Sequence, residues 1–306
     1  MNQRRISAFM LALALSASGP FSLPAAGQDL PVRYEELSTP DFISAVQKAQ
    51  AVCIIPLGIL EKHGPHLPLG TDLLTARAIS IRAAQKEYAI VFPEFFVGQI
   101  FEARHQPGTI AYSRELMLDM LQETCDELGR NGLRKIILVN GHGGNGALVE
   151  FFCQSQLAGK KDYAVYLFKP SGQAEKMKAE RTAGLRKTKL DGHAGEEETS
   201  VMLALRPELV RLDRAEDESG ADLDRLSGLK HAYTGIWWYA GQPNHYRGFG
   251  GAGSRELGEL VLELETGLLV DMIRSVKADR TTLELQDRFF KDAASPLTTP
   301  QGKQKK

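Results

Sequence analysis

Lys135-Ile-Ile-Leu-Val-Asn-Gly-His-Gly-Gly-Asn-Gly146 runs from an unbroken apolar stretch into a glycine-rich turn, and a helical pattern follows from Gly146. A short apolar run bounded by turn residues reads as a buried strand. Similar runs occupy Ala51–Leu57, Ala89–Pro93 and Tyr163–Phe168, with helical patterns over Leu73–Glu87, Ser113–Asn131 and Gly146–Ala158 between them. Strands alternating with helices of this length predict an α/β fold, a mostly parallel central sheet covered by helices on both faces. Ser113 is placed to cap its helix, and Asn131-Gly132 to end it. His142 sits at the apex of the turn after its strand, where open parallel sheets bind ligands. A glycine turn also places a histidine there for purely structural reasons.

The first apolar run leads into Gly58-Ile-Leu-Glu-Lys-His-Gly-Pro-His-Leu-Pro-Leu-Gly-Thr-Asp72. Residues two apart on an extended chain project to one side, so Glu61 and His63 can share a point in space. Glycines and prolines then bend the chain and can return Asp72 to that point. A carboxylate, an imidazole and a second carboxylate suit a divalent transition metal; a strand-end loop with ordinary surface charges is the plain alternative. His66, three residues past His63, faces the other way and reads as loop support.

A third polar segment, Asp191-Gly-His-Ala-Gly-Glu-Glu-Glu-Thr-Ser200, precedes the apolar stretch Val201–Leu205. Acidic residues at a helix start complement its dipole, which accounts for the glutamates but not for His193 and its flanking glycines. Glu196, Glu197 and Glu198 are consecutive, so at most one or two of them face a common site.

The chain has 306 residues, is 43% hydrophobic and carries a net charge of −1, which allows one large core and gives no field for nucleic acid or an anionic membrane. At the N-terminus, Arg4-Arg5, the apolar run Ala8–Leu15 and small residues around Ala26 and Gly27 have the tripartite form of a secretory signal peptide. The run is too short to span a bilayer. Residues 1–27 are therefore expected to be a cleaved signal, 28–293 one catalytic-sized domain and 294–306 a disordered tail, with the mature protein periplasmic or secreted. Cys53, Cys125 and Cys153 have no metal-type spacing; Cys53 and Cys153 read as small buried apolar residues, a disulfide between two of the three being left open. The polar, basic stretch 169–192 reads as a solvated loop or exposed helix, and the last regular element as a helix over Ser254–Val276.

Taken together, Leu60-Glu-Lys-His-Gly-Pro-His-Leu-Pro-Leu-Gly-Thr-Asp72, Asn140-Gly-His-Gly-Gly-Asn145 and His193-Ala-Gly-Glu-Glu-Glu-Thr-Ser200 resemble the creatininase (creatinine amidohydrolase) family, over about Tyr34 to Val276. His105-Gln-Pro-Gly-Thr109 is similar to a fourth stretch of that family. The resemblance implies a three-layer α/β/α fold with two divalent metal ions, zinc foremost and manganese or iron as alternatives, at the carboxyl edge of the sheet. It implies Glu61 and His142 on one ion, His63 and Glu198 on the other, Asp72 bridging both, and His193 as the catalytic acid/base. The reaction implied is hydrolysis of a non-peptide or cyclic C–N amide bond in a small molecule by a metal-bridging hydroxide, in a homo-oligomer, commonly a hexamer.

Gly143 and Gly144 stand where creatininases carry a tyrosine and an acidic residue, which points away from creatinine as substrate. It also leaves an alternative, a non-catalytic periplasmic metal- or solute-binding protein on the same scaffold. Gly248-Phe-Gly-Gly-Ala-Gly253 matches a dinucleotide fingerprint, but no buried strand precedes it. No Gly-x-Ser-x-Gly elbow occurs, which argues against covalent hydrolysis. Trp237, Trp238 and Tyr239 are candidates for a pocket wall or for packing, and His231 and His245, with no ligand partner nearby in sequence, for structural or solvent-facing roles.

Overall fold

The structure is a computed structural model, described here for residues 30–298; the expected signal segment and residues 299–306 lie outside that range. Four strands, β1 (Val52–Leu57), β2 (Ile90–Val91), β3 (Lys135–Asn140) and β4 (Ala164–Leu167), form one parallel sheet in the order β2-β1-β3-β4. The chain leaves central β1 toward one edge and returns to build β3 and β4 on the other side. The order therefore reverses between β1 and β3, where the crevice of an open α/β sheet lies. Leu57 pairs in register with Asn140, so both strands end at the same level and their loops emerge side by side.

Strand pleating splits the apolar runs between two faces. Val52, Ile54, Ile137 and Val139 pack into a core with Ile79 and Ala83 of α2 (Thr71–Lys86), Val201 of α6 (Glu196–Leu205) and Leu257, Val261, Leu269 and Ile273 of α8 (Arg255–Ala278). Their neighbours Cys53, Ile55, Ile136 and Leu138 are equally buried and face the other way. That side carries α3 (Arg114–Arg130), whose buried Cys125 senses Cys53, and α4 (Gly146–Ser155), packed on β3 and β4. These are the three layers that the alternating pattern predicts. Ser113 caps α3 by accepting from the Leu116 N–H at 3.3 Å.

Further elements refine or add to the sequence expectation. A helix α1 (Thr39–Lys48) precedes the sheet, its start marked by Ser38 accepting from the Asp41 N–H. The basic stretch contains α5 (Gln173–Thr182), and the aromatic segment contains α7 (Trp237–Gly241). The helix after Ser254 is not the last element: α9 (Thr281–Ala293) follows it, with Leu285 and Phe289 left exposed, so its weak burial hides it from a search for core-facing periodicity. In the expected disordered tail, residues 296–298 close a 3-10 turn through the Ser295 carbonyl. All three cysteines are free thiols.

One side chain ties the end of β3 to the loop it serves. Asn140 donates through Nδ2 to the His142 carbonyl at 2.7 Å, and its Oδ1 accepts from the His142 N–H and from Asn145 Nδ2. Asn140→Ala removes all three bonds and should cost about 1–3 kcal/mol. A denaturant titration checks this; an unchanged midpoint would show that the turn is held by other contacts.

Candidate metal centre

The loop after β1 carries Glu61 and His63 inward, both fully buried, and closes when the Glu61 N–H meets the Leu69 carbonyl at 3.1 Å. Asp72 enters from the first turn of α2 and is 3% exposed. His142 comes from the loop after β3, and the Gly141 N–H donates to the Leu57 carbonyl at 2.8 Å to hold the two loops together. Glu198 and His193 arrive with the first turn of α6 and the loop before it.

Asp72 is the junction. Its Oδ1 lies 3.0 Å from His63 Nε2 and its Oδ2 lies 3.1 Å from His142 Nδ1. Glu61 Oε1 is 2.8 Å from the same His142 nitrogen, while His63 Nε2 is 3.8 Å from Glu198 Oε2 and 3.9 Å from Glu61 Oε1. Donor atoms of Glu61, His63 and Asp72 all lie within 4.8 Å of one another, as do those of His63, His193 and Glu198. Glu61 Oε1 and Asp72 Oδ2 are buried without a hydrogen-bond partner, because His142 Nδ1 is near both but aligned with neither. Buried carboxylate oxygens left in this state are costly, and a cation among them removes the cost. Carboxylate and imidazole donors without thiolate suit Zn, Mn or Fe. The residues present fit the metals that the sequence implies.

The three consecutive glutamates diverge. Glu196 accepts from the backbone of Lys187 and Thr188 and from the Thr188 hydroxyl. Glu197 pairs with Lys178 and Arg186. Glu198 alone turns toward His63, with Oε2 anchored by the Ala194 N–H at 2.6 Å. His66 stays out of the cluster: its Nε2 bonds the Thr199 hydroxyl at 2.8 Å and so supports α6.

The family model described as creatinine amidohydrolase matches residues 35–273. The chain belongs to the creatininase family. It is 28% identical over 260 residues to the creatinine amidohydrolase of Pseudomonas putida, covering 78% of this chain and 95% of that one. It is 35% identical over 179 residues to the mycofactocin precursor peptide peptidase of Mycobacterium tuberculosis, covering 53% of this chain and 61% of that protein's length. A solved structure of a manganese form of creatininase superposes with a TM-score of 0.68 at 27% identity, covering 81% of this chain and 99% of the other; another matching structure is a mutant creatininase of Zn–Zn type.

Against that family background, one residue stands out that sequence reading left to structural or solvent-facing roles. His245, held at φ +55°, presents Nε2 to Glu61 Oε2 at 2.5 Å. Trp238 Nε1–H donates to His245 Nδ1 at 2.7 Å, which puts the ring hydrogen on Nε2 and aims it at the carboxylate. A Trp238–His245–Glu61 chain thus fixes the orientation of a candidate ligand. No local spacing reveals it, since His245 lies 184 positions from Glu61. His105 and Gln106 bind the Pro243 carbonyl and hold the His245 loop in place. His193 Nε2 donates to the Lys62 carbonyl at 2.7 Å, and its ring lies 4.3 Å from that of His63 and 4.2 Å from that of His245.

Above these groups opens a cavity of about 590 Å³ walled by Trp237, Trp238, Arg247, Gly144 and Glu102. A side chain at Gly144 would begin 2.4 Å from His142 Nε2, so the glycine leaves room for that ring as it is oriented here. A larger cavity, about 810 Å³, reaches Asp72 and Glu198 beside Phe168 and Val261.

Charge balance in the cluster is set by its neighbours. Burial opposes a charge on His63, but Asp72, then Glu61 and Glu198, outweigh it and hold its pKa up to about 10. Burial likewise resists a charge on His142, which Glu61 and Asp72 hold well above the ordinary value. Burial, with repulsion from Asp72 and Glu61, pushes Glu198 up to about 7 against the pull of His63. Burial works against the Glu61 charge too, yet His142 and His193 keep its pKa well below the usual range. His193 is pushed well below its ordinary value, by burial first and by His63 second.

These directions give a pH signature for the chelated protein. His63, raised from 6.5 to about 10, stabilises the fold fully below pH 6.5 and loses that contribution as the pH rises through 10. Glu198, raised from 4.5 to about 7, acts with the same sign over its own window. Depressed Glu61 acts oppositely, contributing above pH 4.5 and losing that on acidification. A metal ion bound at His63 would replace its proton. The melting temperature of chelated protein should therefore fall between pH 6.5 and 9.5, and the stabilisation given by added zinc should grow over the same range. A zinc effect independent of pH would contradict this account of the cluster.

Proposed function

We propose that the protein is a metal-dependent amidohydrolase that uses two divalent ions, zinc foremost and manganese or iron as alternatives. Glu61 and His142 would hold one ion, His63 and Glu198 the other, and Asp72 would serve both. The observation that carries this reading is Asp72, whose two oxygens face two different histidines at 3.0 and 3.1 Å beside a second buried, unpartnered carboxylate oxygen. Bound ions supply Lewis acidity for a water nucleophile and for the substrate carbonyl.

The protein's own groups do the rest. His193, neutral because burial and His63 disfavour its charge, is an acceptor for the proton released by attacking water and a donor to the departing nitrogen. Its Nε2–H bond to Lys62 holds the ring in one plane while it does so. The Trp238–His245 pair keeps Glu61 aimed, and Trp237 and Trp238 cover the cavity against bulk water. The substrate is a small molecule with a non-peptide or cyclic C–N amide bond, and with Gly144 in place of an acidic residue it is not creatinine. Support for a range of substrates in this family comes from the names of two relatives, one a creatinine amidohydrolase and the other a peptide peptidase.

The proposal extends to an exported homo-oligomer. No helix among the described residues is long and apolar enough to cross a membrane, and Tyr233, Ile236 and Trp237 are exposed apolar surface available to a second copy. N-terminal sequencing of the exported protein should begin near residue 28.

Metal analysis and a panel of linear and cyclic amides test the central reading. The purified protein should hold close to two zinc ions per chain and hydrolyse at least one amide, and chelation should abolish turnover. Glu61→Gln should lower kcat by at least about a hundredfold, the scale of losing one group that positions a catalytic ion. Two bound ions with no amide hydrolysed over a broad panel would overturn the catalytic assignment.

A further inference from the structure

The cavity contains two arginines in different states. Arg186 is spent on structure: it pairs with Asp191 at 2.8 Å and with Glu197. Arg247 makes no side-chain hydrogen bond or ion pair among the described residues, and its Nε is buried without a partner. Asp222, held low chiefly by the Asp224 N–H and by Gln242, feels the Arg247 charge only weakly.

Arg247 is also built in. Its backbone N–H donates to the His193 carbonyl at 2.9 Å, which ties it to the proposed acid/base. Its stem lies on Gly192, where a Cβ would come within 3.0 Å of Arg247 Cδ and 3.1 Å of Cγ. A side chain at 192 would press on the arginine stem, so a glycine immediately before His193 lets the stem lie close against that segment. The group shares the cavity with Trp237 and Trp238, whose rings meet edge to face at 5.3 Å. An arginine in a cavity with no internal partner has five N–H donors in a planar fork, matched to carboxylate or phosphate oxygens.

We propose that Arg247 is the anion-recognition residue of this cavity, so that the substrates are amides bearing an oxyanion group, a carboxylate or a phosphate, beside an apolar part that rests against the tryptophans. The inference rests on the hydrolase reading for the amide and on Arg247 alone for the anion. It accounts for a guanidinium on the cavity wall that has no acceptor among the described residues, because a bound oxyanion supplies one to its terminal N–H groups. It also accounts for the spacing of the segment, since Arg247 and His193 are joined through one backbone bond and stand on the same cavity wall.

The test is equilibrium binding to the full chain as purified, with metal content measured alongside, using N-benzoylglycine and its uncharged partner N-benzoylglycinamide. The wild-type protein should bind the acid at least about tenfold more tightly than the amide, the scale expected of a charge-assisted fork. Arg247→Met keeps the stem on Gly192 and should lose that preference, while binding the uncharged amide and holding metal as before. Arg247→Lys should retain part of it. Carboxylate bound directly to metal contributes equally in all three proteins and cancels in the comparison. Inorganic phosphate distinguishes the two anions: competition with N-benzoylglycine that disappears in Arg247→Met assigns a phosphate, and competition indifferent to the substitution assigns a carboxylate. Equal affinity of wild-type protein for acid and amide, acid binding unchanged in Arg247→Met, or loss of the uncharged amide in that variant would each overturn the proposal. Failure of the hydrolase reading would show separately, as absent turnover with the anion preference intact.

Discussion

Three carboxylates, those of Glu61, Asp72 and Glu198, converge with His63 and His142 at the carboxyl edge of one parallel sheet, and their mutual repulsion is the constraint on which this structure depends. With Glu61 and Asp72 buried and Glu198 beside them, three like charges cannot all persist without compensating cations. In the protein alone the compensation comes from protons, taken up by His63 and His142 and retained by Glu198. Divalent ions bound there would satisfy the same oxygens and release those protons, which would couple metal binding, pH and stability through one cluster.

The sheet makes the convergence possible. Because Leu57 and Asn140 are paired, the loops after β1 and β3 start at one level on either side of the point where strand order reverses. α2 then delivers Asp72 between them, and α6 delivers Glu198 from a helix packed closely against α8. Secondary contacts hold the cluster in place: Asn140 ties the His142 turn, His66 bonds Thr199 on α6, and His245 aims Glu61.

Much of this was legible in the amino-acid order because it is local. Continuous apolar runs announce β1 and β3, period-two spacing puts Glu61 and His63 on one side, and the glycine turn brings His142 to the strand end. Glu198 was different: the residues alone could say only that one or two of three glutamates face a site, and the family resemblance singled it out. In the structure Glu196 and Glu197 are consumed by Thr188, Lys178 and Arg186, and Glu198 is the one beside His63. His245 and Arg247 were not legible as site residues, since their partners lie in segments far away in sequence and no spacing rule links them. α9 escaped notice for another reason, as a helix that leaves Leu285 and Phe289 exposed has little periodic burial to betray it.

The central claim is that Asp72 joins two metal positions. Crystals grown with zinc and measured at the zinc absorption edge test it directly. The account predicts two anomalous peaks about 3.5–4 Å apart, the separation usual for paired catalytic ions, one beside His142 and Glu61 and the other beside His63 and Glu198, with one oxygen of Asp72 toward each. A single peak, or two peaks without Asp72 between them, would contradict it.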